Sequence, residues 1–308
     1  MTPRLRVIID NDFAGDPDGL LQLAHHLLSP SVDIRAVIGS AVRRDDPFDP
    51  SGRSADNARE RVLEVLELTG RTEVPAPRAP NQPLADRATP RRSEAAEAIV
   101  AEALRDDDRP LYVALGASLT QLASAYLLEP RIAERLTAVW IGGPEYPGTP
   151  APHGPPAIEY NLNIDLAAGQ VVFNDSPIAL WQVPRDAYRQ TLLSWAELRT
   201  RVAPMGELGA YLHRHLQAVH DWEAERGRAL GETYVAGDSP LVLLTALQSA
   251  FEPDPSSSFY DTVPAPEIGD DGFYVPRPDG RPIRVYKRID NRLMLEDLYA
   301  KLALHAGR

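Results

Sequence analysis

The chain has 308 residues, a formal net charge of -12 and no cysteine. Its length and its 44% hydrophobic content are those of a globular chain with a large buried core. The acidic balance argues against a nucleic-acid partner, and the lack of cysteine excludes disulfides, thiolate metal ligands and a cysteine nucleophile. No apolar run reaches the length of a membrane span, and the opening MTPRLRVIID lacks the apolar core of a secretory signal. We therefore expect a cytoplasmic protein without a membrane partner.

Short apolar runs alternate with longer segments of helical period through the first half of the chain. In chain order the strand-like runs are LRVIID, VDIRAVIG, PLYVALG and LTAVWIGG, and the helix-like segments are GLLQLAHHLL, SADNARERVLEVLEL and LTQLASAYLL. This alternation predicts an α/β fold with a mostly parallel central sheet flanked by helices, a Rossmann-like open sheet, in a single domain over residues 1–308. Ligands of such sheets bind at the carboxyl ends of strands, so we expect functional residues directly after strands.

Three later segments complete the prediction. Two proline-rich stretches, 74–92 and 143–161, indicate irregular connections within the domain. The segment at about 204–231 has apolar and aromatic residues at helical spacing, which is typical of either a helical lid or an ordinary surface helix. The pattern from 281 to 302 predicts a strand followed by a terminal helix.

Four aspartates follow the first strand in the stretch DNDFAGDPDG: Asp10, Asp12, Asp16 and Asp18. Capping of the next helix accounts for one or two carboxylates at such a position. Four carboxylates would repel one another unless a cation neutralised them. Calcium takes about six to eight oxygen ligands and suits this loop better than zinc does. We therefore expect a Ca²⁺ site here.

These residues resemble the N-terminal signature DxDxxxDD of the inosine-uridine preferring nucleoside hydrolases, which lies on a strand, a loop and a helix. Asp10 and Asp12 match the first pair, and Asp16 and Asp18 match the second pair with Pro17 inserted between them. The resemblance implies calcium-dependent hydrolysis of the N-glycosidic bond of ribonucleosides, which releases free base and ribose. It leaves open which of Asp16 and Asp18 is the bidentate ligand.

Further motifs in the family's order extend the resemblance over nearly the whole chain. VALGASLTQLA is similar to a strand-GPLTN-helix element in which the residue before the glycine, here Leu115, lends its carbonyl to calcium. WIGG at 140–143 is similar to the family's MGG. EYNLNIDLAAGQVVF resembles an element that supplies a glutamate and an asparagine to ribose, which implies these roles for Glu159 and Asn161. GDSPLVLLTAL looks like the helix start that carries another calcium ligand, here Asp238.

The resemblance also implies a role for each of these residues. The implied calcium ligands are Asp12, Asp18, Asp238 and the carbonyl of Leu115. Asp12 would also accept the proton of the attacking water. The implied ribose contacts are Asp16, Asn161 and Asp238 at the 2′ and 3′ hydroxyls and Glu159 at the 5′ hydroxyl.

Two positions depart from the family pattern. Gly237 stands where a histidine often protonates the leaving base, so another group must assist its departure. Ser40 stands where an asparagine contacts ribose, and its hydroxyl can still bind substrate through fewer hydrogen bonds. For the base we expect His220 as the acid and Trp222 as a contact, against the alternative that both are ordinary helix residues. His153 is a rival for the acid.

Two other functions compete with this interpretation. Phosphatases of the haloacid dehalogenase type also begin with DxD, but they need a downstream lysine, and neither Lys287 nor Lys301 is suitably placed. The alternative is a catalytically impaired nucleoside-binding protein of the same fold, because Gly237 removes an acid while the metal and ribose residues remain. His25 and His26, one turn into the first helix, are expected to be structural. The resemblance further implies a small-molecule nucleoside as partner and a homodimer or homotetramer.

Overall fold

The computed structural model describes residues 2–149, 157–229, 231–249 and 258–307. Its strands are β1 (Leu5–Asn11), β2 (Val32–Gly39), β3 (Leu111–Leu115), β4 (Thr137–Ile141), β5 (Ala179–Val183), β6 (Leu192–Ser194), β7 (Thr233–Val235), β8 (Phe259–Pro264), β9 (Glu267–Ile268), β10 (Tyr274–Val275) and β11 (Pro282–Arg288). Its α-helices are α1 (Asp18–Leu27), α2 (Ser54–Thr69), α3 (Glu94–Ala103), α4 (Thr120–Leu128), α5 (Tyr160–Ile164), α6 (Leu166–Gln170), α7 (Arg185–Tyr188), α8 (Trp195–Glu197), α9 (Gly206–Glu225), α10 (Pro240–Thr245) and α11 (Asn291–Ala306). Short 3-10 or π-helical turns cover Pro130–Glu134, Val171–Asp175 and Leu198–Val202.

Seven strands of the described ranges form one sheet in the order β2-β1-β3-β4-β5-β11-β8. The neighbouring strands are parallel except at one edge, where β8 runs antiparallel to β11. Two small antiparallel pairs, β6 with β7 and β9 with β10, lie outside this sheet. The prediction of a mostly parallel central sheet in a single α/β domain is confirmed.

Helices cover both faces of the sheet, so alternate residues of a strand pack into two separate apolar cores. In β1, Val7 and Ile9 belong to one apolar cluster with residues of α1, α2, α9, α10 and α11. Ile8 belongs to a second cluster with residues of α3 and α4. Successive side chains of a strand point to opposite faces. Asn11 therefore lies on the α1 face of the sheet, and Asp10 lies on the other.

The first helix is buried along its whole length, polar residues included. His25 binds Asp297 of α11 at 2.7 Å, and His26 binds Thr245 of α10 at 2.8 Å. Burial is the main cause that lowers the pKa of both imidazoles. The two histidines therefore join α1 to the C-terminal helices, which is the structural role expected from the sequence.

The segment considered as a lid contains one long helix, α9, whose first half is part of the core. Leu208, Tyr211, Leu212 and Leu216 are buried, and the helix packs against α2 and α11. Its last turn is half-buried or exposed. A lid function for the 204–231 segment stays a prediction.

The described residues of both proline-rich stretches are irregular, except that the second stretch ends in the first two residues of α5. The part of the second stretch from 150 to 156, which contains His153, lies outside the described residues. Among the described helices, none combines the length and the apolar composition that a bilayer span requires.

Candidate active site

An acid-lined cavity of about 380 Å³ lies at the carboxyl edge of the sheet. Its walls come from the loops after β1, β3, β4 and β5 and from the loop before α10. The polar side chains that line it are Asp12, Asp16, Asp18, Glu159, Tyr160, Asn161, Arg185, Tyr188, Arg189 and Asp238. Six of the residues predicted from the sequence thus meet in one place.

The loop between β1 and α1 turns so that its aspartates face this cavity. The N–H of Gly15 donates to the carbonyl of Asp12 at 2.7 Å and closes the turn. A Cβ at residue 15 would lie 2.9 Å from Cγ1 of Val42, so a larger residue would push the loop away from Val42, which follows β2. The turn leaves Asp16 in the cavity and lets α1 begin at Asp18.

Asp238 joins these carboxylates from the far end of the sequence. Its backbone N–H donates to Oδ2 of Asp18 at 3.0 Å. A Cβ at Gly237 would lie 3.3 Å from the same oxygen and 3.4 Å from the ring of Tyr188. The missing side chain at 237 therefore allows the loop before α10 to approach Asp18 and Tyr188 closely.

Asp12, Asp18 and Asp238 are buried, whereas Asp16 is exposed. Desolvation within the cavity raises the pKa of all four carboxyl groups. It brings the pKa of Asp16 to about 6 and that of Asp238 to about 7. The pKa values of Asp12 and Asp18 rise well above the ordinary range, first through burial and next through repulsion by Asp238. A cation among these oxygens would remove that repulsion, because opposite charge favours the ionised form.

The chemistry of this donor set fits a hard divalent cation. The available ligands are oxygens, which Ca²⁺ and Mg²⁺ prefer over nitrogen or sulfur. Within the described ranges, no three His, Cys, Asp or Glu side chains already have the spacing of a metal-binding group. The carboxylates are therefore close enough to repel one another but are not arranged as a coordination shell.

Glu159 is held rigidly at the opposite wall. It caps α5, and its Oε2 accepts from the backbone N–H of Gly143 at 2.8 Å and of Leu162 at 3.1 Å. Its Oε1 accepts from the hydroxyl of Tyr188 at 2.8 Å. The side chain is completely buried. A ligand hydroxyl that meets this wall will therefore contact the Tyr188–Glu159 pair and not an isolated carboxylate.

Asn161 bridges the ends of two central strands. Its amide nitrogen donates to the carbonyls of Gly116 at 2.9 Å and Ile141 at 2.8 Å, just beyond β3 and at the end of β4. Both N–H groups are used within the protein, so Oδ1 is the atom that can accept from a ligand.

Two predicted residues lie next to the cavity without lining it. The hydroxyl of Ser40 donates to Oδ1 of Asp10, on the other face of the sheet. Burial raises the pKa of Asp10 to about 7, and the bond from Ser40 lowers it. Leu115 ends β3 beside Asp10, and its side chain belongs to the core; the next residue, Gly116, lines the cavity. The role of the Leu115 carbonyl stays a prediction.

His220 and Trp222 lie on α9 outside the acidic cavity. The ring of His220 packs 5.2 Å from that of Trp195, and the Trp195 ring lies 6.0 Å from that of Tyr234, whose hydroxyl donates to Asp16. His220 thus reaches the acids only through two aromatic rings. Trp222 packs 5.1 Å from Phe48 in a second cavity of about 240 Å³ on the outer side of the aspartate loop. Helical spacing alone gave no information on which cavity these side chains face.

Sequence reasoning missed Tyr188 and Tyr234, which hold Glu159 and Asp16. Tyr188 closes the short helix after β5, so the rule that functional residues follow strands could have indicated it. Tyr234 lies in the short strand β7, three residues before Gly237. Its hydroxyl stabilises the ionised form of Asp16. The pKa of the Tyr234 phenol is raised first by burial and next by the charge of Asp16.

An acidic cavity at the carboxyl ends of parallel strands is the site of an α/β enzyme that binds a small polar substrate. The sequence matches the profile of the inosine-uridine preferring nucleoside hydrolases over residues 7–263, and the chain belongs to this family. It is therefore a member of a class of hydrolases that act on the N-glycosyl bonds of nucleosides.

Solved structures of similar fold have low sequence identity. A plant nucleoside hydrolase superposes with a TM-score of 0.73 at 18% identity, over 98% of this chain and 99% of that one. A purine-preferring ribonucleoside hydrolase from Gardnerella vaginalis gives 0.72 at 16% identity, over 98% and 99%. An inosine-uridine preferring nucleoside hydrolase from Bacillus anthracis gives 0.64 at 16% identity, over 97% and 99%. A comparison with curated proteins by sequence found no significant match.

Proposed function

We propose that the protein hydrolyses ribonucleosides to free base and ribose and that the reaction depends on calcium. One observation carries the proposal: Asp12, Asp18 and Asp238, from distant parts of a chain of this family, are buried in the wall of one cavity that Asp16 also lines. Burying so many carboxylates together is costly unless a cation and a substrate rich in hydroxyl groups engage them.

The residues proposed to hold calcium are Asp12, Asp18, Asp238 and the carbonyl of Leu115. When bound, calcium lowers the pKa of a water molecule and orients it. Support for these ligands comes from the charge of Asp238, which after burial is the largest cause that raises the pKa values of Asp12 and Asp18. Asp12 is proposed as the base that takes the proton from the attacking water, because it lines the cavity beside the other two.

The ribose contacts in this proposal are Asp16, Asn161, Asp238 and the Tyr188–Glu159 pair. Asp16 is fixed by the hydroxyl of Tyr234, and Asn161 presents Oδ1. Side chains held in this way bind a sugar with little loss of rotamer freedom, which favours correct orientation for attack. Ser40 stays a predicted sugar contact that acts from beside the cavity.

Departure of the base requires a proton donor and a surface for the base. The proposal keeps His220 as the acid and Trp222 as a base contact, and both roles require the 204–231 segment to move toward the cavity. An activated riboside such as p-nitrophenyl riboside needs no proton on its leaving group, whereas inosine does. His220→Ala should therefore slow inosine hydrolysis and spare the activated substrate. Equal rates of inosine hydrolysis in the two proteins would remove His220 from the mechanism.

Ribose release from a panel of ribonucleosides, with and without a calcium chelator, tests the proposed function. We expect ribose from at least one nucleoside, and loss of the signal on chelation that added calcium reverses. Nucleoside binding without ribose release would instead support the non-catalytic binding protein, which Gly237 favours. The cytoplasmic location and the homodimer or homotetramer stay predictions, and light scattering of the purified protein measures the second.

A further inference from the structure

Asn11 lies between two acids of the signature and is completely buried at the end of β1. Its Oδ1 accepts from the backbone N–H of Asp12 at 2.8 Å. Its Nδ2 donates to Oδ2 of Asp238 at 2.9 Å and to Oε1 of Gln22 at 3.3 Å. The amide thus uses an acceptor and both of its N–H groups, and it connects two proposed calcium ligands that lie on distant parts of the chain.

Two glycines make room for this amide. A Cβ at Gly116 would lie 2.3 Å from Nδ2 of Asn11, and a Cβ at Gly19 would lie 2.8 Å from the same atom. The Gly19 Cβ would also come within 3.3 Å of Oδ2 of Asp238. The backbone just after β3 and that of α1 therefore enclose the Asn11 amide from two sides, and a side chain at Gly116 or Gly19 would displace it.

A chain of hydrogen bonds fixes which way the amide points. Thr245 donates its hydroxyl proton to the carbonyl of Leu241 at 2.6 Å, so its oxygen accepts from Nε2 of His26 at 2.8 Å. Nδ1 of the neutral His26 must then accept, and it does so from the amide nitrogen of Gln22. That leaves Oε1 of Gln22 to accept from Asn11. Each bond in the chain has one possible direction.

We infer that Asn11 is a positioning residue that holds Asp12 and Asp238 at the spacing the proposed calcium site requires, and that Gln22, His26 and Thr245 hold Asn11. The inference rests on the proposed function, since it gives Asn11 a task only if these acids bind the cation. Groups that orient metal ligands from behind typically contribute about 10- to 100-fold in metal affinity or activity.

Calcium titration by calorimetry, without nucleoside, tests the inference in wild type, Asn11→Ala and Thr245→Val. Thr245→Val is nearly isosteric and lies outside the cavity. It removes the hydrogen bond to His26, at the far end of the hydrogen-bond chain from Asn11. We expect calcium Kd to weaken roughly 10-fold or more in Asn11→Ala and by a smaller factor in Thr245→Val, with kcat falling more than KM rises. If Asn11→Ala fails to fold, Thr245→Val decides alone.

Val113→Ala provides the matched control for a general loss of stability. Val113 is fully buried in β3, in the other core cluster, so its truncation should lower the Tm and leave calcium Kd unchanged. Variants of Asn11 and Thr245 that melt earlier but bind calcium as wild type does would overturn the positioning role alone. A wild type that binds no calcium and releases no ribose would overturn the proposed function, and the positioning role with it.

Discussion

Single residues at the cavity owe their chemistry to burial. Asp12 and Asp18 are taken from water next to Asp238, whose charge, after burial, raises the pKa of both. The resemblance of the sequence motifs to the family predicted that these acids would share one site with Glu159 and Asn161. The sequence could not show that Tyr234 holds Asp16, since a contact across 218 residues leaves no local pattern.

Asp18→Ala tests the proposed calcium ligands at this scale. Binding to the native state alone adds free energy by mass action, ~2.7 kcal/mol when calcium is a hundred times its Kd. We expect calcium to raise the Tm of wild type and to have no such effect on Asp18→Ala, measured by calorimetry. Asp86→Ala, in an exposed loop, is the control and should respond as wild type does. An unchanged calcium effect in Asp18→Ala would point to Asp16 as the ligand.

His26 makes stability depend on pH. Burial, followed by the charges of His25 and Lys301, lowers its pKa well below the ordinary 6.5. Below pH 6.5 the unfolded chain therefore binds a proton that the folded chain refuses, and the free energy of unfolding falls by up to ~1.4 kcal/mol per pH unit. Above pH 6.5 this contribution is fully present.

The substitution His26→Gln should flatten that dependence. Glutamine can keep a donor toward Thr245 and an acceptor toward Gln22, but it does not titrate. Urea unfolding of both proteins from pH 7.5 to 5 should give a smaller loss of stability in the variant below pH 6.5. Parallel curves would mean that His26 is protonated as easily in the folded state as in the unfolded one.

At the scale of elements, sequence periodicity found what local pattern can encode. β1 to β4 and the helices α1, α2 and α4 are continuous apolar or amphipathic runs, and the structure forms them where expected, whereas α3 was not predicted. The edge strand β8 was not predicted, because its side chains are mostly exposed and show no apolar alternation. The two-residue strands β9 and β10 are defined by their pairing and not by composition.

The packing of α9 predicts that a change of Gly209 to alanine is destabilising, although helix propensity alone predicts that it is stabilising. A Cβ at Gly209 would lie 2.1 Å from the carbonyl oxygen of Val202 and 2.9 Å from Cβ of Met205. Gly209→Ala should therefore lower the free energy of unfolding by ~1–3 kcal/mol, measured with urea, because the turn at Leu198–Val202 must move away.

The exposed Arg214 of the same helix supplies the comparison. The free energy of unfolding of Arg214→Ala should exceed that of Arg214→Gly by ~1 kcal/mol, because alanine has the higher helix propensity. If Gly209→Ala shows the same gain, α9 does not pack tightly on that turn, and the lid proposed for this segment would need little energy to move.

In the folded molecule, residues from distant parts of the chain meet at one cavity. Asp18 and the N–H of Asp238 meet across 220 residues, because α1 begins directly after the loop that follows β1 and α10 packs beside α1. Family motifs predicted this meeting, whereas composition and periodicity predicted only the fold. The positions of His220 and Ser40 could not be predicted, since they depend on which way a helix face and a strand end are turned in the folded chain.

The central claim is that this cavity hydrolyses nucleosides with Asp12 as the base. The most direct measurement is the rate of ribose release from the best ribonucleoside of the panel, in calcium, by wild type and Asp12→Asn with matched melting curves. A general base contributes ~10²–10⁴-fold, so kcat should fall by that factor while KM changes little. Ribose release by Asp12→Asn at the wild-type rate would contradict the account.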